Sequence, residues 1–406
     1  MYKKASSALK YIAPALVLIY TGCCIFLYYR FMAWESGSVY ESDLPAHISL
    51  AVNDRMYYSL ISFIIIGLDK AGAMMALPVI LGGFAALSVF FAGRLIDEMT
   101  GHKWAPGVSL IAALLLNVLM PIYIRGLSDG RYMGMHSSSI WHNSTYLMMK
   151  WMGLWTLLIY LRIEKNISEK LTVKSYLYFT LVLTLTTSAK PSFFLAAAPV
   201  MLVFLIIDLV KKNAPVLRLL IFASSVIPSF AVMLLQNNSL FEGQNESSGI
   251  VLAPGRAMTA HTGYLIPVSV LSIAFPLMIL ALHFRELFRN RYMLFAWMCA
   301  AVGYAQYFLF SEEGARALDG NLSWGYAFTI ILVFGTALVQ WLGDMKLFAC
   351  KGDDVTKGAD VKSAGTSSVI KKVYLVLCGS VLLLHAYCGL LFFIRLLQGV
   401  SYMMWG

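Results

Sequence analysis

Charge is scarce in this chain: only 13% of its 406 residues are Asp, Glu, Lys or Arg, against roughly 25% in soluble domains. A soluble globular enzyme is thereby excluded. Cysteine and proline are also few, at six and twelve. The cysteines lie almost entirely inside apolar runs, so neither a disulfide framework nor a CxxC metal site is written here. The paucity of proline, beside 24 Phe, 22 Tyr and 9 Trp, excludes a collagenous or low-complexity body.

In place of charge there is apolar length, since 59% of the residues are hydrophobic. Runs near the roughly 17–25 residues of a bilayer span fall at 11–29, 72–92, 105–124, 146–162, 175–189, 192–210, 216–235, 264–283, 292–310, 324–343 and 373–394. Long runs without two-residue alternation predict helices, not a barrel. The expected fold is all-α, a polytopic membrane protein of about eleven spans. The first run is of full span length and no small-residue cleavage site follows, so it is expected to stay as a span. The organisation expected is a membrane domain over 1–343, a flexible cytoplasmic loop over 344–372, and a last span with a short outer tail over 373–406.

With the N-terminus inside, most of the 31 basic residues fall in cytoplasmic loops, as the positive-inside rule requires. These loops are short and separate, with no basic stripe or stacking platform. That argues for contact with anionic membrane lipids and against nucleic acid. The expected home is a bacterial cytoplasmic membrane with the active face outward, although the sequons at Asn143 and Asn245 leave a eukaryotic membrane open.

The first outer loop, 30–71, is long for a connection between packed helices. It reads Glu41-Ser42-Asp43-Leu44-Pro45-Ala46-His47-Ile48, and Pro45 suits a first helical turn that Ser42 or Asp43 caps. At 100° per residue Asp43, His47 and Asp54 share one side, while Leu44, Ile48, Ala51 and Val52 take the flank. This predicts an amphipathic interfacial helix, with Arg55 either snorkelling or ending it. The 56–68 run predicts a re-entrant or interfacial helix. A solvated acidic face would produce the same pattern.

The other outer loops hold Arg131, His136, His142 and Asn143; Arg256 and His261; and Glu312, Glu313, Arg316 and Asn321. Four of the seven histidines are therefore outside, which puts any chemistry on the outer face. Lys190 stands in a turn with almost no loop around it, so it reads either as a ligand for a lipid phosphate or as a snorkelling anchor. Trp141, Trp324, Tyr132 and Tyr264 suit an interfacial belt, or a sugar-stacking surface. Asp43 and His47, at helical spacing, are the pair that a divalent metal such as Mg²⁺ or Mn²⁺ would take, with Glu312, Glu313 or water completing the shell.

An acid-bearing helix in the first outer loop, a cation at outer headgroup depth and eleven spans together resemble the C-type (GT-C) glycosyltransferases. The resemblance covers the general plan, chiefly the first third of the chain, with Glu41-Ser-Asp43-Leu-Pro-Ala-His47 as the matching stretch. The first outer loop holds no adjacent Asp-Glu pair, the chain has no WWDYG-like signature, and no soluble C-terminal domain is expected after the last span. It implies a sugar taken from a polyprenyl-phosphate donor to a glycan or lipid acceptor on the outer leaflet, with Asp43 as general base or metal ligand. A sugar phosphate carries a good leaving group, so the reaction needs positive charge on the phosphate and a carboxylate for the acceptor's proton. Lys190, Arg131, Arg256 and Arg316 are candidates for the first role and Asp43, with His47 and Asp54 beside it, for the second. Direct attack would invert the anomeric carbon. Two other readings stand beside this one: an outer-face polymerase or ligase of lipid-linked polysaccharide, and a non-enzymatic lipid or glycan transporter. The near absence of central charge in the spans speaks against the transporter.

Overall fold

The computed structural model describes residues 2–33, 39–104, 107–132, 134–241, 249–345 and 366–403. Most of the expected flexible loop (346–365) and the Asn245 sequon lie outside them. The described chain is mostly helical: α1 (Tyr2–Met32), α2 (Leu44–Val52), α3 (Leu60–Lys70), α4 (Leu77–Thr100), α5 (Val108–Leu116), α6 (Ser144–Asn166), α7 (Val173–Ala189), α8 (Ser192–Val210), α9 (Val216–Ser224), α10 (Ile227–Phe241), α11 (Leu265–Ser272), α12 (Ala274–Leu282), α13 (Phe284–Leu287), α14 (Arg291–Leu309), α15 (Ser323–Asp344) and α16 (Thr366–Leu397). Two three-residue strands, β1 (Ile250–Leu252) and β2 (Phe310–Glu312), pair antiparallel and join the loops after α10 and α14.

Among the described residues seven helical segments are long and apolar enough to cross a membrane. They rise to eight if α11 and α12, bent by 76° about Ile273, form one broken span. This makes the chain an integral membrane protein of the all-α class. The other expected spans take different forms. The helix α6 carries Lys150, Arg162, Glu164 and Lys165 along its 23 residues, and α7 is 17 residues long.

The 105–124 run departs most from a single span. Its helix is only nine residues, α5, and stops at Asn117, whose side chain donates back to the Ala113 carbonyl (2.8 Å). Pro121 lies beyond, where a helix could not continue without losing a hydrogen bond. The chain runs on without helix through Ile124, and non-helical backbone at this depth must find partners in its neighbours. It does: the Met120 N–H donates to the His385 carbonyl (3.3 Å), the His385 ring nitrogen Nδ1 meets the Met120 carbonyl (2.8 Å), and the Ile122 N–H donates to Leu271 O (3.2 Å), beside the α11–α12 bend.

The interior is built where α4, α6, α14 and α15 pack, and α15 is the most enclosed of the span candidates. Phe91, Trp151 and Trp155 stack between α4 and α6 at 5.4–6.0 Å, separations favoured for offset aromatic pairs. One end of the bundle carries α2, α3 and the strand pair. At the opposite end, Arg291 bridges Glu164 and buried Asp208, Arg162 pairs with Glu98 (3.0 Å), and the His283 ring sits between Asp344 (2.6 Å) and Glu286 (3.0 Å).

The two helices expected in the first loop are present. A nine-residue helix carries Pro45 in its first turn, and most of the 56–68 run lies in α3. Arg55 ends the pattern instead of snorkelling, since α2 stops at Val52 and Arg55 takes a positive φ of 54°. Asp54 therefore falls past the helix end, exposed and off the face that Asp43 and His47 occupy.

Candidate functional site

Asp43 is the residue on which α2 starts, yet its side chain makes no capping bond. Ser42 does that work, its hydroxyl accepting from Leu44 N–H (3.1 Å) while donating to the His142 carbonyl (2.9 Å). The Asp43 carboxylate is left free to turn toward the start of α6. There Asn143 Nδ2 donates to Asp43 Oδ2 (2.8 Å), and Asn143 Oδ1 caps α6 through Tyr146 N–H (2.9 Å) and accepts the Thr145 hydroxyl (2.7 Å). One amide thus orients the acid and starts the helix. His47, one turn along α2, meets the Ser144 hydroxyl at 2.7 Å.

Lys190 enters from the α7–α8 turn. Its ammonium donates to Thr145 Oγ1 (3.0 Å) and lies over the Trp324 ring, 4.4 Å from the centroid, a cation–π contact. Trp324 Nε1 donates to Asn321 (3.3 Å), Asn321 Nδ2 to Glu312 (2.7 Å), and Arg316 pairs with Glu312 (3.5 Å) and Asp319 (3.7 Å). Glu312 ends β2, so the strand pair is what carries this loop up to α15. The His142 ring, 4.0 Å from the Asp43 carboxylate, stacks on Tyr402 at 3.7 Å and meets Tyr132 edge-on. Tyr402 arrives from beyond α16, and that segment is tied to the first loop by Tyr40 and by a Ser401–Glu41 bond.

The electrostatics follow from burial. Desolvation pushes the Lys190 ammonium down from 10.5 to about 8, with Asp43 and Glu312 opposing and Arg316 adding to the fall. Burial likewise lowers His142 to about 4, against the pull of Asp43. His47 moves the same way for the same first reason. At neutral pH the site therefore holds an ammonium and neutral imidazoles beside Asp43.

Eight sequence candidates converge here: Asp43, His47, His142, Asn143, Lys190, Glu312, Arg316 and Asn321. Others stand apart. The Arg131 guanidinium covers the Tyr123 ring (4.7 Å), His261 lies 3.4 Å from Asp129, Glu313 sits against Gly249, and Arg256 is exposed beyond β1. Thr145 and Tyr402 were not singled out from sequence. For Tyr402 the available signal was an aromatic pair, Tyr402 and Trp405, directly after the last span.

One donor atom of each member of the Asp43–His47 pair is already engaged within the protein. Asp43 Oδ2 is held by Asn143 and His47 Nδ1 by Ser144, an ammonium lies close by, and among the described residues no three His, Cys, Asp or Glu side chains converge as a metal group. An apolar cavity of about 420 Å³ opens beside α8, lined by Phe194, Leu195, Ala198, Leu202, Phe230 and Met233. It begins one helical turn past Lys190. No protein-family model matches the chain, and no curated protein is significantly similar to it.

Proposed function

We propose that the protein is a membrane glycosyltransferase that moves a sugar from a polyprenyl-phosphate donor to a glycan or lipid acceptor on the outer face of a bacterial cytoplasmic membrane. The observation that carries the reading is the meeting of one oriented carboxylate and one desolvated ammonium, Asp43 and Lys190, around the Asn143–Thr145 helix start. Lys190, with Arg316 behind it, holds the donor phosphate, a stronger partner for a buried cation than a threonine hydroxyl. The apolar cavity that starts beside Leu195 gives the polyprenyl chain a place next to that phosphate.

Asp43 takes the acceptor hydroxyl's proton as its oxygen bonds to the anomeric carbon. The bond from that carbon to the phosphate oxygen breaks, and the electron pair leaves with the polyprenyl phosphate. Attack opposite the leaving group inverts the anomeric centre. Asn143 fixes the carboxylate, and neutral His142 walls the site without adding a competing positive charge. No step passes through a metal.

The test is complementation of a deletion host with wild type and Asp43→Asn, reading lipid-linked and surface glycans by mass spectrometry. Loss of a positioned general base costs about 10²–10⁴ in rate, so Asp43→Asn, present at normal level, should leave the glycan short of one defined sugar. Full restoration by Asp43→Asn overturns the reading. Collapse of long chains to single repeat units assigns the polymerase activity instead.

A further inference from the structure

The segment that follows α16 begins as a helix stop and ends against the candidate site. Gly399 takes a positive φ of 87°, its N–H donating to the Leu396 carbonyl (2.9 Å) and that of Val400 to Arg395 O (3.0 Å). This pair of bonds is a Schellman stop, which favours glycine at its left-handed position. The turn delivers the next residues to the first outer loop.

Hydrogen bonds hold the segment there. Tyr40 N–H donates to Gly399 O (3.1 Å) and the Tyr40 hydroxyl to Leu397 O (3.0 Å), while the Ser401 hydroxyl donates to the Glu41 carboxylate and accepts from Met403 N–H (3.0 Å). The fit is close. A Cβ on Gly399 would stand 2.9 Å from the Tyr40 ring, which the Arg30 guanidinium also covers at 4.7 Å. Tyr40 itself takes a positive φ of 69°, a backbone that a non-glycine residue keeps only where its surroundings fix it.

The tied residues adjoin the acid. Tyr40 and Glu41 run directly into Ser42 and Asp43, and Ser42, 3% exposed, donates to the His142 carbonyl (2.9 Å). Tyr402 lies flat on the His142 imidazole, with 3.7 Å between centroids and 10° between planes, and Tyr132 meets the two rings edge-on at 5.0 and 5.9 Å. His142 Nε2 is in turn 4.0 Å from Asp43 Oδ2. The contacts close a circuit: the segment reaches Asp43 along the chain through Glu41, and across space through the His142 ring.

We propose that Tyr402 is a positioning residue for Asp43, the segment after α16 being tied to the first outer loop so that its ring holds His142 against the carboxylate that Asn143 orients. A role in catalysis rests on the transfer proposed above, whereas the restraint on Asp43 does not.

The experiment uses the full-length protein in nanodiscs, in a cysteine-free background, with Asp43→Cys as reporter and its rate of reaction with N-ethylmaleimide as readout. Adding Tyr402→Ala should raise that rate roughly tenfold, the upper end of what one aromatic pair contributes. Tyr402→Phe keeps the ring and should leave the rate unchanged. Asp54→Cys, in the same loop but past the end of α2, should react at one rate with each residue at position 402, which shows the release to be local. If Tyr402→Ala does not accumulate, Ser401→Ala, which cuts the tie to Glu41, takes its place and should raise the Asp43→Cys rate about fivefold, the scale of one hydrogen bond. An unchanged Asp43→Cys rate, an equal rise in Tyr402→Phe or an equal rise at Asp54→Cys overturns the proposal. In cells, Tyr402→Ala should lower the same sugar that Asp43→Asn removes, with Tyr402→Phe as wild type. Loss of that sugar in Asp43→Asn cells beside full glycans in Tyr402→Ala cells overturns the positioning role. A raised Asp43→Cys rate with full glycans in Asp43→Asn cells faults the transfer and keeps the restraint.

Discussion

Lys190 shows how one side chain's surroundings set a pH window. Its folded value of about 8 lies below the ordinary 10.5 because burial strips its water. Between those two values the unfolded chain binds a proton that the folded chain has released, so this residue makes stability rise with pH across the window. The proposed transfer runs the other way, since only the ammonium would hold the donor phosphate. In the free enzyme kcat/KM should therefore fall above pH about 8, by roughly tenfold per unit. Lys190→Arg keeps its charge throughout and should lose that falling limb, even if its overall rate is lower. An unchanged limb in Lys190→Arg would assign it to another group. Much of this site was legible in the sequence, because Asp43 and His47 are four residues apart on one helix and a lone lysine in a two-residue turn stands out against hydrocarbon. The role of Asn143 as both helix cap and partner of Asp43 was not legible, because it joins residues 100 positions apart. Asp54 was misplaced for a local reason: the helical wheel assumes a helix that runs on, and this one stops at Val52.

Among the elements, the extended chain after α5 is the one that hydropathy could not reveal. Every residue of Val118–Ile122 is apolar or proline, so composition reads straight through it, and only Asn117 and Pro121 mark the break. Ile273, at the 76° bend, is equally silent in an apolar run. The two irregularities support each other, since Ile122 N–H bonds to Leu271 O immediately before the bend. On its other side the extended chain lies against α16 at Gly389, where an added methyl would overlap the Val118 carbonyl oxygen. Gly389→Ala must push the two elements apart and break the Met120–His385 pair of backbone and ring bonds. Each unpartnered backbone group in an apolar surround costs several kcal/mol. A markedly lowered thermal midpoint or loss of folded protein is expected in detergent. Gly343→Ala, where a methyl meets nothing within 4 Å, is the control and should behave as wild type. Equal stability of the two variants would remove the extended segment from the account of the fold.

At the scale of the whole molecule the candidate site lies at one end and a set of ion pairs at the other, and the site end responds to pH. His136 and His142 are held neutral, with values lowered from 6.5 to about 4. The unfolded chain takes up protons between those values that the folded chain refuses, so stability falls as pH drops from about 6.5 toward 4. His136→Gln combined with His142→Gln should flatten the thermal midpoint over that interval, which differential scanning fluorimetry would show directly. Orientation is the larger question for a transfer on the outer leaflet. Helix α1 starts at the ion-pair end, while the segment after α16 returns to the α2 end, where Tyr40 donates to Leu397 O and Ser401 bonds Glu41. The basic loops, including Lys165, Lys170, Lys211 and Lys212, lie with the ion pairs, and positive charge is retained on the cytoplasmic side. In a cysteine-free background, Asp54→Cys in intact cells should therefore react with a membrane-impermeant maleimide, and Ser168→Cys only after permeabilisation. Both positions are exposed. The reverse pattern would turn Asp43 and Lys190 toward the cytoplasm, and a donor carried on the outer leaflet could not then reach them.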